Sequence, residues 1–234
     1  MLVPPGMSRD KCHGGNLQKE TAMFHSMRRS LLAAIVSIAA FGIGCAKGPA
    51  PEQTKTVDSL QGVISNLDSG MVEVNKLISS IDQLQSGGNV KEAFGQFNTA
   101  AAAIKEAGDN VRNRAKSFNE SQEAYIKKWQ AELDTVQDPA VRASLQQRKE
   151  KIASAFSQIQ ADAAAVRDLY IPLLNQTSEI QRLLALDLTP AGVNAMKPAL
   201  DAAKANAVAL NSKIAALRGT LVSIGGSMGA PAPK

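Results

Sequence analysis

Residues 57–82 read VDSLQGVISNLDSGMVEVNKLISSID. Their apolar positions, Val57, Leu60, Ile64, Leu67, Met71, Val74, Ile78 and Ile81, recur at alternating spacings of three and four. That period brings them onto one side of a helix for about four heptads, the seam of a helix that must pack against another helix. Working outward, the SGGN at 86–89 stops the helix, and Asn89 is placed to cap the next one.

Three further seams follow at the same spacing. The second runs from Val90 through Phe94, Phe97, Ala101 and Ile104, then Gly108, Val111, Ala115, Phe118, Gln122, Tyr125 and Trp129, before QDP at 137–139 ends it. Asp138 and Pro139 read as N-cap and first residue of a third helix. That helix carries Ile152, Phe156, Ile159, Ala163, Val166, Tyr170, Leu173, Thr177, Ile180 and Leu184, with a kink or break expected near Tyr170 because Pro172 lacks a backbone donor. Thr189 and Pro190 open a fourth helix, whose seam from Val193 to Ile224 ends at Gly225-Gly226.

The expected fold is therefore all-α, an antiparallel up-and-down four-helix bundle or coiled coil over residues 56–225, with a tail at 226–234. Helices of about 30, 47, 48 and 35 residues would let the central pair outreach the outer pair by roughly 20 Å at about 1.5 Å per residue, as a projecting hairpin with its tip near Asp138. Composition agrees. Aromatic residues are only 4% of the chain while the hydrophobic content is 44%, which favours helices packed closely through small side chains over any all-β fold.

Upstream, Arg28 and Arg29 precede an uncharged run from Leu31 to Gly44 that ends at Cys45. This is the layout of a secretory signal, and the run is shorter than the roughly 20 residues a spanning helix needs. The end of the run resembles the lipobox of bacterial lipoproteins, with Gly44 at the small position before the cysteine and Gly42 off the usual pattern. The resemblance implies a diacylglycerol-modified Cys45 as the mature N-terminus, hence a membrane partner through the lipid anchor, and Ala46 after it favours the periplasmic face of the outer membrane in a diderm cell envelope. Plain signal cleavage and a retained anchor are the alternatives. The signal occupies 27–44, the lipidated cysteine and a Pro- and Gly-bearing tether 45–55, and residues 1–26 read as a misassigned start before Met27 or a disordered leader.

The formal charge of +5 shrinks on inspection. Five of 26 basic residues and two of 21 acidic ones lie in 1–45, leaving 21 against 19, which predicts no nucleic-acid partner. His13, His25 and Cys12 also lie upstream, so from Ala46 onward there is neither histidine nor cysteine. The commonest general base, soft nucleophile and metal ligands are thereby missing, and no phosphate loop or nucleophile-elbow motif is present. The close carboxylates Glu120/Glu123 and Glu132/Asp134 read as solvated helix faces. The expectation is a non-enzyme, without catalytic, cofactor-binding or metal residues.

One cluster stands out. Tyr125 and Trp129, with Lys127 and Lys128 between them, fall near Arg148 and Lys149 at the hairpin tip. They read either as an interface anchor for an unidentified envelope protein or as seam residues packing on the third helix. The segments around Trp129, Glu132 and Leu133, then Arg148, then Pro172, Leu173 and Leu174 resemble a family of bacterial all-helical envelope lipoproteins catalogued only as a domain of unknown function. The resemblance implies a helical fold and an envelope address and carries no activity. Two roles are expected of such a chain: a lipid-anchored scaffold or adaptor engaging a partner through the tip, and, as the alternative, a lipid-binding or membrane-shaping protein. Self-association through the aromatic tip is a third outcome.

Overall fold

A computed structural model describes residues 50–229. Within them the chain forms five helices: α1 Pro51–Gln85, α2 Val90–Leu133, α3 Pro139–Leu184, the short α4 Pro190–Ala195 and α5 Lys197–Ser227, with no strand among the described residues. The leader, the signal segment 27–44, Cys45 with the first part of the tether, and the tail from residue 230 lie outside the described residues.

The boundaries follow from local chemistry. Gly87 adopts φ 76°, the left-handed turn that glycine tolerates best. The Asn89 side chain then accepts from the Glu92 amide at 3.3 Å, Asp138 from Ala140 and Val141 at 2.8 and 3.1 Å, and Thr189 from Gly192 at 3.1 Å. Each cap satisfies amides that have no partner inside their own helix. Pro51, Pro139 and Pro190 start their helices, where a missing N–H costs nothing.

Four boundaries differ from expectation. α1 begins at Pro51, so residues 51–55 are helical and not tether, and Thr56 is fully buried. The second helix ends at Leu133. The fourth helix is two: Met196 is a turn because Pro198 cannot donate and its ring would clash with the carbonyl four residues back, so α5 starts afresh at Lys197. Its end moves the other way. Gly225-Gly226 stays helical to Ser227, and the left-handed Gly229, φ 84°, marks the stop. Pro172, by contrast, breaks nothing, and α3 runs through it.

Cross-helix hydrogen bonds give the directions. Ser59 meets Ser121 between α1 and α2 at 2.7 Å, Gln181 donates to Asn98 between α3 and α2 at 3.0 Å, and Asn206 donates to Gln176 between α5 and α3 at 2.8 Å. Between α1 and α5 the Arg218 guanidinium donates to Asp68 at 2.5 Å, Asn211 to Asn75 at 2.9 Å, Lys204 to Asp82 at 2.5 Å and Gln85 to Asp201 at 2.8 Å. Along α1 and α5 one number rises as the other falls, and the same holds for Asn98–Gln181 with Gln130–Lys149 between α2 and α3 and for Gln176–Asn206 with Asp162–Thr220 between α3 and α5, so these pairs run antiparallel. Packing is closest between α1 and α2 and loosest between α2 and α3.

The buried faces are wider than single seams. Val63, Leu77 and Leu84 join Leu60, Ile64, Leu67, Val74 and Ile81 in the core, while Val57, Met71 and Ile78 sit at its edge. A helix between two neighbours must bury both flanks, and each fully buried Leu or Ile contributes about 1.5–3 kcal/mol. Small residues permit close approach where helices do touch closely, as at the buried Ala100, Ala101, Ala203 and Ala207.

Gln122 is the misfit, 5% exposed, with its side-chain carbonyl unpartnered. An unsatisfied buried acceptor costs about 1–3 kcal/mol. Gln122→Met should therefore raise stability by about 1 kcal/mol, read as a higher midpoint with unchanged slope in urea unfolding.

Candidate functional site: a hairpin tip and a central cavity

At the α2–α3 end, the seam places Tyr125 and Trp129 one turn apart, and their rings meet edge to face with centroids 5.5 Å apart. Tyr125 is only 8% exposed and Trp129 half-buried against the core. From α3, the Arg148 guanidinium lies 5.9 Å from the centre of the Trp129 ring, a cation–π distance, and the Lys149 ammonium donates to the Gln130 side chain. Lys128 pairs with Glu132 at 2.7 Å, while Lys127 faces solvent. Tyr125, Trp129, Arg148 and Lys149 are thus brought together, with the two rings packed on one another and on the core. Lys127 and Lys128 stand apart from that cluster.

Half-way along the helices lies a feature the sequence did not announce: a cavity of about 430 Å³. Val63, Leu67 and Val74 of α1 and Leu210, Leu217 and Leu221 of α5 form its floor, each nearly fully buried. On the opposite side stand Gly108, Val111 and Ala115 of α2 with Ala163, Ala164 and Val166 of α3, all half-buried. The small side chains were expected to pull helices together. Between α2 and α3 they leave a gap instead, because large side chains on α1 and α5 hold the floor while nothing large fills the α2–α3 seam there.

Aromatic rings stand toward both ends of the cavity lining. At one, Phe118 meets Phe156 edge to face at 5.8 Å. At the other, Tyr170 lies against Gly108 so closely that a Cβ on residue 108 would stand 2.1 Å from the phenol oxygen. The Tyr170 hydroxyl donates to the Lys105 carbonyl at 3.4 Å. The charged residues in the cavity wall are Arg112 and Arg167, beside the amides of Asn119 and Gln160. Arg112 pairs with Asp109 at 2.9 Å. Arg167 makes no ion pair among the described residues.

Burial raises both phenols. For Tyr125 desolvation is opposed by the nearby Arg148, and for Tyr170 it is reinforced by Asp109 and opposed by Arg112. Among the described residues no three metal-ligating side chains cluster, and no helix is long and apolar enough to cross a membrane.

An all-helical chain of long antiparallel helices, with a capped hairpin at one end and an apolar cavity in the middle, is the class these observations define. The chain belongs to the family described as protein of unknown function DUF2959, whose model matches residues 53–219, from the first turns of α1 to the penultimate turns of α5. No curated protein and no solved structure matches it.

Two outcomes are expected. Gly108→Ala should push Tyr170 from its seat at a cost of about 1–3 kcal/mol, and adding Tyr170→Ala should recover part of that loss in a double-mutant cycle of chemical unfolding. Both phenols should ionise only above the ordinary tyrosine value of about 10, seen by ultraviolet absorbance. Because their folded values are raised, the stability they contribute is complete below that pH and is lost as pH climbs through the folded values.

Proposed function

We propose that this chain is a non-enzymatic, lipid-anchored protein of the cell envelope, an antiparallel up-and-down four-helix bundle whose α2–α3 hairpin projects as a scaffold or adaptor surface. The observation that carries the reading is the mismatch in helix ends. α1 starts at Pro51 and α5 ends at Ser227, with Gln53 donating to the Met228 carbonyl at 2.7 Å, and the Thr56 hydroxyl 3.1 Å from the Ser121 carbonyl sets their level on α2. α2 continues to Leu133 and α3 begins at Pro139, and with Gln130 level with Lys149 the hairpin extends about 10 Å past both on α2 and about 20 Å on α3.

Beyond that level the surface is charged and exposed. Lys127, Lys128, Arg142 and Arg148 present cations, with Asp134 answering Arg142 at 3.4 Å. The anchoring half of the proposal is carried by the signal-like run and Cys45, and it places the bundle beside a membrane with the tip free to meet an envelope protein.

A second reading, lipid binding between the helices, is favoured by the cavity, which has the apolar lining and the size, about 300–1,000 Å³, of small-molecule sites.

Excising residues 131–147 and closing the hairpin with a short turn should leave helix content and cooperative unfolding intact while abolishing in-cell cross-linking to envelope proteins. Undiminished capture would end the scaffold reading. Intact mass of the N-terminal peptide from the membrane fraction should show acylated Cys45, and an unmodified terminus at or before Met27 would remove the anchor.

A further inference from the structure

The register of α2 against α3 has an electrostatic consequence. The pairing that sets Asn98 beside Gln181 and Gln130 beside Lys149 also sets Arg112 level with Arg167, both in the wall of the cavity. Both side chains are exposed, Arg112 to 72%, and they rim the open side of the cavity above its apolar floor. Asp109 offsets the charge of Arg112 alone. Asp168, beside Arg167 in sequence, forms no ion pair with it among the described residues.

We propose that the cavity binds a single-chain amphiphile with an anionic head, its acyl chain lying on the α1 and α5 floor and its carboxylate or phosphate oxygens held between Arg112 and Arg167. It rests on the second reading above, that the helices hold an apolar ligand. The charge supports an anion because each guanidinium offers a planar fork of donors to paired oxygens at the solvent-facing rim, where a charged head stays hydrated while its chain is buried. The dimensions support one chain. The lining runs from Val63 to Val74 on α1, about 16 Å of helix, and the volume lies toward the low end of ligand pockets. Phe118 and Tyr170 line it toward its two ends, where their rings narrow the space left for a longer chain.

The probes are myristate, monomyristoyl phosphatidic acid and the uncharged 1-tetradecanol, titrated calorimetrically below their aggregation thresholds into the full chain carrying Cys45→Ala and stripped of lipid. Saturable one-to-one binding of at least one anionic probe is expected. Which one binds tells a free fatty acid from a monoacyl phospholipid. Shortening the chain should weaken binding about three- to fourfold per methylene. Arg112→Gln with Arg167→Gln should weaken the anionic probe tenfold or more, leave tetradecanol unchanged, and leave the empty protein about as stable in thermal unfolding, because both side chains are exposed. Ala163→Phe, filling the gap, should block every probe while circular dichroism verifies the fold. Equal binding of tetradecanol and the anions, indifferent to the two arginines, would overturn the anionic head and leave the apolar-ligand reading standing. Failure of every probe to bind, whether or not sedimentation reveals a dimer closing the gap, would overturn both.

Discussion

The pairing of α1 with α5 is the contact on which the arrangement depends. α1–α2 and α2–α3 are joined by short turns and α3–α5 by a twelve-residue connection that holds the short α4, so antiparallel packing there needs little more than the connection itself. α1 and α5 are separated by most of the chain, and bringing them together must be rewarded by the contact alone. Leu200, Ala203, Ala207, Leu210, Leu217 and Leu221 of α5, buried with Leu60, Leu67, Leu77 and Ile81 of α1, supply that reward in the common core. The polar edge supplies the register. Asp68, Asn75 and Asp82 are spaced by sevens on α1, as are Lys204, Asn211 and Arg218 on α5, and in the observed register each Asp meets a cation while the two Asn meet one another. A slip of one heptad either way sets Asn75 opposite a cation and Asn211 opposite an aspartate. Exposed pairs of this kind add little stability, so their effect is to decide among alternatives that the apolar seam alone would leave close in energy.

The elements legible in the sequence were those fixed within a few residues. Asn89, Asp138 and Thr189 cap as their side chains and positions dictate, because a cap is a contact between residues two or three apart. Pro198 carried a signal as local as these, a missing donor some two turns after Pro190, and the chain turns there, while at Pro172 the helix continues and only the break, one of the two outcomes expected, is absent. A proline near a helix start has few bonds to lose, whereas Pro172 is held on both sides by packed residues such as Leu169 and Leu173. The Asp68, Asn75 and Asp82 ladder was also visible as a heptad of polar residues, but only the partner helix gives such a row its meaning.

The cavity was legible in its parts and not in its sense. Gly108, Ala115 and Ala163 stood in the seams, where small residues ordinarily signal close approach. Approach requires the neighbouring helices to permit it. Here α2 is committed to α1, and α3 to α5, so the α2–α3 spacing is settled by large side chains on two other helices. The aromatic pair at the tip shows the converse. Tyr125 and Trp129 looked like an interface by residue type, and seam phase assigned them to packing, which is where they lie.

That division of loyalties gives the molecule its mechanical character. α1 and α2 are the most closely packed pair, α3 is fastened to α5, and the seam between α2 and α3 carries the cavity, Arg112 and Arg167 at its rim and, at its far end, the turn that joins the two helices. Spacing along that seam is the coordinate with the least packing energy opposing it, since opening it breaks the fewest contacts. A molecule seated between α2 and α3 would bias that spacing by no more than the difference in its affinity for the open and closed arrangements. Phe118 lines the cavity and meets Phe156 edge to face on the side toward Tyr125 and Trp129, so that ring pair stands between the cavity and the tip in the seam that α2 and α3 share.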